Sequence, residues 1–278
     1  MLPLIKRFLI KTAHIFGYNF SKVDLAKLIE VEKYNAISTL NRMKFLIGHS
    51  DLAKNDNDIL SFCEYSENDL LKSKAQIFQD LFVLYTLKNK RNGFFVEFGA
   101  TDGVNLSNTF LLEKDYGWKG ILAEPAQVWI QKLKENRNCF IDTRCVWSKS
   151  GETLTFYETK NAVLSTIDLY SNHDFLADKR EDRNEYSVET ISLNDLLLFY
   201  NAPAIIDYMS IDTEGSEFEI LSSFNFSKYI IRVITIEHNF STKREDMFNL
   251  LTENGYKRVF QSISLFDDFY IYKELNAK

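Results

Sequence analysis

The stretch FFVEFGATDGVNLSNTFLLEKDYGWKGILAEP, residues 94–125, decides the fold. Its first apolar run, Phe94 to Phe98, is typical of a buried parallel strand, and Gly99 and Gly103 flank the turn that follows. Glycine at such a turn lets a ligand approach the backbone closely. A helical segment and a second apolar run come next. The stretch therefore predicts a strand–turn–helix–strand unit of a parallel sheet.

Two acids mark the ends of these two strands. Glu97 lies at the end of the first strand, and Glu124 ends the second, 21 residues after Gly103. An acid about 20 residues beyond a glycine turn is placed to accept hydrogen bonds from both ribose hydroxyls of a nucleoside. Thr101 occupies the middle glycine position of the dinucleotide motif GxGxxG, so that motif is absent. Together these elements predict a nucleoside-binding, doubly wound fold, and the alternative is an ordinary α/β sheet with capping acids.

Strands and helices continue to alternate beyond this unit. Further strands are predicted at residues 139–147, 153–157, 208–211, 230–236, 256–263 and 269–272. Helices are predicted at residues 107–116, 127–135, 193–200, 218–224 and 245–254. Helices of about ten residues between strands imply right-handed βαβ units, here closed by a terminal strand pair.

Composition excludes several classes of protein. Hydrophobic residues make up 45% and charged residues 26%, as in soluble globular proteins and unlike disordered, collagen-like or multi-span membrane chains. The net charge of −6 argues against nucleic acid as a partner, because phosphate contacts need basic surfaces. Three cysteines, Cys63, Cys139 and Cys145, are too few and too unevenly spaced for a disulfide framework or a cysteine zinc site. The chain is expected to be cytoplasmic.

The amino-terminal part has a helical pattern, without the alternation of strands and helices found in the rest. Residues 1–74 are predicted to be a helical extension, and residues 75–278 the main domain. Lys6, Arg7 and Lys11 interrupt the apolar residues of segment 1–20, which excludes a secretory signal or a membrane span there. This segment predicts a basic amphipathic helix, either in peripheral contact with an anionic membrane surface or packed on its own domain.

Residues 94–125 resemble the first two strands of the FkbM-family methyltransferases, in which a glycine turn, Ser-Asn-Thr, Gly-Trp and Glu-Pro recur together. The turn also has the ExGxxxG form of S-adenosylmethionine-dependent methyltransferases. Residues 208–217, YMSIDTEGSE, are similar to the family's Asp-x-Glu-Gly-x-Glu motif on the fourth strand, and residues 235–238 resemble its fifth. The resemblance covers about residues 75–272.

The resemblance implies a Rossmann-like class I methyltransferase fold, which is a mostly parallel doubly wound sheet with an antiparallel terminal strand. It also implies S-adenosylmethionine as the cofactor, with Glu124 at the ribose and either Asp142 or the backbone near Cys145 at the adenine. The residues that it places around the cofactor are Glu97, Gly99, Ala100, Asp102, Gly103, Ser107, Asn108, Glu124, Pro125, Asp142 and Asp212.

Two acids that follow later apolar runs are expected at the same edge of the sheet. Asp212 follows the fourth strand and Glu237 ends the fifth, and neighbouring strands lie about 4.8 Å apart. Carboxylates this close repel unless a cation or a shared proton separates them. Asp212 and Glu237 are therefore predicted to be catalytic, either as ligands of a divalent cation such as Mg²⁺ or as a site with a general base.

Residues beside these acids have two interpretations each. In one interpretation His238 is the base, since its ordinary pKa of about 6.5 suits proton abstraction at neutral pH. In the other it is a hydrogen-bonded structural histidine. Glu214 and Glu217 join the site, or they only stabilise the amino-terminal end of the next helix.

The predicted function is O-methylation of a sugar hydroxyl in a bacterial surface polysaccharide or glycoconjugate. The acceptor is a small molecule or a sugar, either nucleotide-linked or glycan-linked, and residues 161–186 are the candidate acceptor loop. One alternative is N-methylation of a small amine or amino acid derivative. Another is a non-catalytic nucleoside-binding partner subunit, although the retained Asp212, Glu237 and His238 argue against it. The sequence leaves the oligomeric state open.

Overall fold

A mostly parallel sheet is the framework of the chain in the computed structural model, which describes residues 57–160, 162, 165–170, 182–261 and 263–276. The strands in this described part are β1 (Phe94–Phe98), β2 (Lys119–Ala123), β3 (Phe140–Asp142), β4 (Cys145–Trp147), β5 (Thr153–Thr159), β6 (Thr166–Ile167), β7 (Arg183–Ser192), β8 (Ile205–Ile211), β9 (Ile230–Glu237), β10 (Tyr256–Val259) and β11 (Asp267–Tyr272). The helices are α1 (Asn57–Ser66), α2 (Gln79–Thr86), α3 (Phe110–Tyr116), α4 (Gln127–Asn136), α5 (Leu193–Phe199), α6 (Glu217–Ser222) and α7 (Arg244–Glu253).

The strand order confirms the predicted fold. The main sheet of the described residues has seven strands in the order β10-β11-β9-β8-β1-β2-β3. Strands β3, β2, β1, β8 and β9 run parallel, whereas β11 runs antiparallel to both β9 and β10. This is the Rossmann-like class I methyltransferase arrangement. The chain order reverses at β1, and ligands bind beyond the carboxyl ends of the strands at such a switch point.

The register brings four strand ends to one edge of the sheet. Phe98 pairs with Ala123 on β2 and with Ile211 on β8, and Ile211 pairs with Ile236 on β9. The residues that follow these positions therefore leave the sheet side by side. They include Glu124, Asp212 and Glu237, the acids that the sequence predicts at this edge.

Apolar residues on both faces of the central strands explain why these strands lie inside the molecule. Their side chains face helices on either side, so the strands are continuous hydrophobic runs rather than alternating ones. The largest buried cluster joins β1, β2, β8 and β9 to helices α5, α6 and α7. Its members on β1, β2, β8 and β9 are Val96, Phe98, Ile121, Ala123, Ile206, Met209, Ile211, Ile231, Ile234 and Ile236.

A second sheet differs from the prediction. The apolar run at residues 139–147 was expected to form one strand, but it divides into β3, which pairs with β2, and β4, which pairs with β7. In the described part this second sheet has four strands in the order β4-β7-β5-β6. Its apolar face packs around Phe156, Ile167 and Val188. This sheet therefore forms a wall beside the carboxyl ends of β1 and β2.

Ser61–Lys278 forms one compact unit by its own contacts. The predicted boundary between residues 74 and 75 stays a prediction. The amphipathic helix predicted at residues 1–20 lies outside the described residues, as does most of the candidate acceptor loop. Among the helices that the structure describes, none has the length and apolar character to cross a membrane.

Candidate active site

The glycine turn after β1 brings two strand ends unusually close. Gly99 has φ 73°, and a Cβ atom on it would lie 2.0 Å from the carbonyl oxygen of Asp212. Glycine is therefore required here by the neighbouring backbone at the end of β8, in addition to any ligand. Gly103 has φ 77°, and its Cβ would lie 2.6 Å from Leu133 Cδ1 and 2.7 Å from Arg137 Cγ. The second glycine thus lets the turn pack against α4.

The carboxylate of Glu97 holds the turn to the end of β1. It is buried and accepts hydrogen bonds from Ser107 Oγ at 3.0 Å, from the amide of Asn108 at 2.7 Å and from the hydroxyl of Thr109. Burial raises the pKa of Glu97, although the nearby Arg137 guanidinium and these hydrogen bonds oppose the rise. With these bonds made inside the protein, Glu97 mainly shapes the site.

Arg137, at the end of α4, is a structural residue that the sequence had not indicated. Its guanidinium is fully buried and lies 3.8 Å from Glu97. It donates to the carbonyl of Gly103 at 3.0 Å, to Ser107 Oγ at 3.0 Å, to Thr109 Oγ1 at 2.9 Å and to Glu113 Oε2 at 2.7 Å. One side chain therefore links the glycine turn, α3 and α4.

Glu124 occupies the predicted position at the end of β2. Its carboxylate accepts hydrogen bonds from the amides of Thr101 and Ala126, each at 2.8 Å. Burial raises its pKa to about 7. Each carboxylate oxygen has further lone pairs, so Glu124 can also accept hydrogen bonds from a ligand.

A cavity of about 280 Å³ runs along these strand ends. The predicted cofactor residues that line it are Glu97, Gly99, Asn108, Glu124, Pro125 and Asp212. Ala100, Asp102, Gly103, Ser107 and Asp142 are outside its lining. The cavity wall also contains apolar residues of the second sheet, Val146, Phe156 and Ile167.

Two of the residues outside the lining have other roles. Asp102 accepts hydrogen bonds from the amides of Val104 and Asn105, at 2.9 and 2.8 Å, and so shapes the turn. Asp142 forms an ion pair with Arg144 at 2.6 Å. Of the two predicted adenine contacts, the segment at Cys145 reaches the cavity and Asp142 does not. The Asp142 carboxylate is engaged by Arg144, and its contact with the cofactor stays a prediction.

Three carboxylates meet at the other end of the cavity. The oxygen atoms of Asp212, Glu214 and Glu237 that could bind a metal all lie within 4.8 Å of one another. Burial raises the pKa of Asp212 to about 7, and Asp212 and Glu237 are hydrogen-bonded to each other. The pKa of Glu237 is well above its usual range because of burial and the neighbouring charge of Asp212. The two carboxyl groups therefore resist being ionised together, as expected for carboxylates this close.

Glu214 and Glu217, for which the sequence left two interpretations open, have different roles in the structure. Glu217 accepts hydrogen bonds from the amides of Thr213 and Gly215, at 2.9 and 3.1 Å, and so stabilises the start of α6. Glu214 has φ 57° and joins Asp212 and Glu237 instead. Its left-handed backbone takes it out of the helix register that the sequence suggested.

His238 lies outside the cavity lining, and its role as the base stays a prediction. Its Nδ1 accepts a hydrogen bond from the amide of Phe240 at 2.9 Å, so Nε2 carries the proton and donates to the carbonyl of Asp267 at 3.1 Å. Only 3% of its surface is exposed, and burial lowers its pKa to about 4. The alternative of a structural histidine fits this geometry.

A family model described as the methyltransferase FkbM domain matches residues 97–258. The chain belongs to the FkbM methyltransferase family. The FkbM match includes the glycine turn, Glu124 and the three clustered acids. The fold and the family together imply S-adenosylmethionine as the methyl donor. No curated protein sequence matches the chain significantly.

Solved structures similar to this FkbM chain include further methyltransferases. A precorrin-6y C5,15-methyltransferase from Geobacter metallireducens is 10% identical, with 65% of this chain and 71% of that chain covered and a TM-score of 0.34. A putative RNA methyltransferase from Pyrococcus horikoshii is 14% identical, with 65% and 66% covered and a TM-score of 0.34. A fibrillarin/Nop5p complex is 16% identical, with 68% and 79% covered and a TM-score of 0.33.

Several cavity residues were missed by sequence reasoning. Glu214 carried a signal, since it lies within the Asp-x-Glu-Gly motif, but a helix-end role explained it equally well. Gln76, Asn239 and Phe266 also line the cavity. They lie in three segments far apart in the sequence, and no motif links them.

Proposed function

We propose that the chain transfers a methyl group from S-adenosylmethionine to a hydroxyl of a sugar. One observation carries the proposal: Glu124 and the three clustered acids line the same cavity at the switch point of an FkbM-family sheet. A ribose site and a group of carboxylates in one cavity support transfer between a bound nucleoside and a second substrate.

The cavity residues fit S-adenosylmethionine. Glu124 would accept hydrogen bonds from the ribose hydroxyls, and the apolar residues Val146, Phe156 and Ile167 would pack against the adenine. Gly99 lines the cavity beside the end of β8, where its backbone would face the methionine part. When bound, S-adenosylmethionine supplies a methyl group already activated on a sulfonium. The protein then has to align the acceptor and receive its proton.

The three acids would activate the acceptor hydroxyl, which is a poor nucleophile. Asp212, Glu214 and Glu237 offer oxygen ligands at a spacing that suits a hard cation such as Mg²⁺. A bound cation would lower the pKa of the acceptor hydroxyl and remove the repulsion between the carboxylates. Without a cation, the ionised member of the Asp212–Glu237 pair would take the proton itself.

The setting of the reaction extends this proposal. Synthesis of a bacterial surface polysaccharide or glycoconjugate would supply a sugar acceptor, and the enzyme would act in the cytoplasm. Contact of segment 1–20 with the inner membrane face would bring it near such acceptors.

A labelled-methyl screen tests the proposal. S-adenosylmethionine with a labelled methyl group would be incubated with the full chain and panels of glycosides, nucleotide sugars and small amines, and products identified by mass spectrometry. We expect a methyl ether on a sugar, loss of turnover in EDTA and recovery with Mg²⁺ or Mn²⁺. Asp212→Asn should lose turnover and retain S-adenosylhomocysteine binding.

The outcomes separate the parts of the proposal. Full turnover in excess EDTA would contradict the cation and leave the carboxylate pair as the base. Labelled products only from amines would contradict sugar O-methylation. Lys243→Met removes an exposed surface charge that pairs with Asp246, and this control should leave turnover unchanged.

A further inference from the structure

Three distant segments meet at the end of the cavity beside the acids. They are residues 75–79 at the start of α2, residues 237–240 at the end of β9, and Phe266–Asp267 at the start of β11. Each contributes one uncharged residue to the cavity wall, and we call Gln76, Asn239 and Phe266 the acceptor rim.

The first segment is fixed so that Gln76 alone turns outward. Ala75 and Ile77 are buried, at 0% and 4% exposure, whereas Gln76 between them is exposed. Gln79 Oε1 accepts from the amide of Ile77 at 3.0 Å, and Gln79 Nε2 donates to Asp267 Oδ2 at 2.9 Å. Gln76 is therefore held at the cavity by a rigid backbone that is bonded to β11.

The second segment is fixed by His238. The amides of His238 and Asn239 both donate to the carbonyl of Phe266, at 2.8 and 3.2 Å. The His238 ring bonds to the carbonyl of Asp267 and to the amide of Phe240. Asn239 and Phe266 are thus locked together next to Glu237, and the side-chain amides of Gln76 and Asn239 make no hydrogen bond among the described residues.

The strand order places this rim away from the ribose position. Glu124 follows β2, and Glu237 follows β9, which lies three strands further along the order β2-β1-β8-β9. At about 4.8 Å for each step, the two strand ends are about 14 Å apart. Asn239 follows Glu237, and Phe266 immediately precedes β11, so these two residues lie at the Glu237 end of the cavity. Gln76 follows Ala75, which pairs with Leu106 after the glycine turn, and it reaches the cavity from that side.

We infer that Gln76, Asn239 and Phe266 bind the ring of a neutral, polyhydroxylated acceptor and direct one of its hydroxyls toward Glu237; this inference rests on the proposed function. Amide side chains both donate and accept hydrogen bonds, as sugar hydroxyls do. The Phe266 ring offers an apolar surface for the C–H face of a sugar.

Saturation-transfer NMR on the full chain loaded with S-adenosylhomocysteine tests the rim. The probes are methyl pyranosides of glucose, galactose, mannose, rhamnose and fucose. We expect transfer to at least one glycoside. Gln76→Ala, Asn239→Gly and Phe266→Leu should each weaken its binding by about tenfold, with S-adenosylhomocysteine affinity retained. Glycine is chosen at position 239 because Asn239 has φ 42°, which alanine would strain.

Two matched variants serve as controls. Phe240→Leu changes an exposed aromatic residue in the same turn that does not line the cavity. Gln131→Ala changes an exposed glutamine on α4. Both should keep glycoside binding.

The possible failures are distinguishable. Glycoside binding or methylation that all three rim variants retain would overturn the rim and leave the proposed function standing. A wild-type protein that binds S-adenosylhomocysteine and an amine but no glycoside would overturn both the rim and sugar O-methylation. A protein that does not bind S-adenosylhomocysteine would contradict the proposed function at its cofactor step, and absent glycoside binding would then overturn the rim as well.

Discussion

Replacing Glu124 by alanine should weaken S-adenosylhomocysteine binding by about 1–3 kcal/mol, which is about 5- to 150-fold. The carboxylate already accepts hydrogen bonds from the amides of Thr101 and Ala126 at 2.8 Å, so its position is fixed before the ligand arrives. The ribose hydroxyls would donate to this carboxylate, and the net loss of one hydrogen bond to a charged acceptor, about 1.5–3 kcal/mol, sets the upper bound. The lower bound allows for water that solvates the ribose in the variant.

The same carboxylate predicts a pH dependence of binding. Burial raises the pKa of Glu124 to about 7, and hydroxyl donors favour its ionised form. The affinity of the wild-type protein should therefore be full at about pH 8 and about tenfold lower at about pH 6. Glu124→Gln cannot titrate at this position, so its affinity should lack this component of the pH dependence.

Calorimetric titration at the two pH values measures both effects. Glu135→Ala on α4 is a matched control, because Glu135 is exposed and, within the described part of the chain, its carboxylate accepts a hydrogen bond from Gln131 Nε2 alone, at 3.0 Å. A folded Glu124→Ala protein with wild-type affinity would refute the ribose assignment. A wild-type affinity that is flat between about pH 6 and about pH 8 would refute the titration argument.

Two further predictions concern stability. Arg137→Met should lower the free energy of unfolding by about 3–5 kcal/mol in chemical denaturation, because Glu97 and Glu113 lose a buried partner. Lys114→Met removes an exposed partner of Glu113 and should change the free energy of unfolding by less than about 1 kcal/mol. Equal losses in Arg137→Met and Lys114→Met would contradict the role of Arg137. The second prediction follows from burial, which raises the pKa of Glu124 and Asp267 to about 7. Near pH 6 the folded protein therefore holds protons that the unfolded chain has lost, which favours the folded state. The melting temperature, measured without ligand and in EDTA, should be higher at about pH 6 than at about pH 8. The reverse order would contradict this prediction.

The central sheet was predictable because its sequence signals are local. Strands buried on both faces are mostly apolar, as in β1, β8 and β9, and the intervening helices fix the parallel direction. The division of residues 139–147 was not predictable, because it depends on β7, whose pairing residues come more than 40 positions later in the chain. The ion pair of Asp142 with Arg144 lies where the chain leaves one sheet for the other.

The site was predictable where one residue at one strand end carries the role. Glu124, Asp212 and Glu237 follow from strand ends and spacing alone. The position of Glu214 beside the other two acids depends on a left-handed backbone conformation, which a glutamate in the sequence does not indicate. Gln76, Asn239 and Phe266 come together only through hydrogen bonds between distant segments.

His238 follows the predicted catalytic acid Glu237 in the sequence, but its side chain lies outside the cavity lining. A histidine next to a catalytic acid has a suitable ordinary pKa, yet successive residues at a strand end point to opposite sides. Glu237 faces the cavity, and His238 faces the turn that holds Asn239 and Phe266. Among the described residues that line the cavity, the titratable groups are carboxylates and the thiol of Cys145, whose pKa burial raises to about 12. Under the proposed function, the acceptor proton would therefore leave through the clustered carboxylates, or from a hydroxyl that a cation bound to them would make acidic.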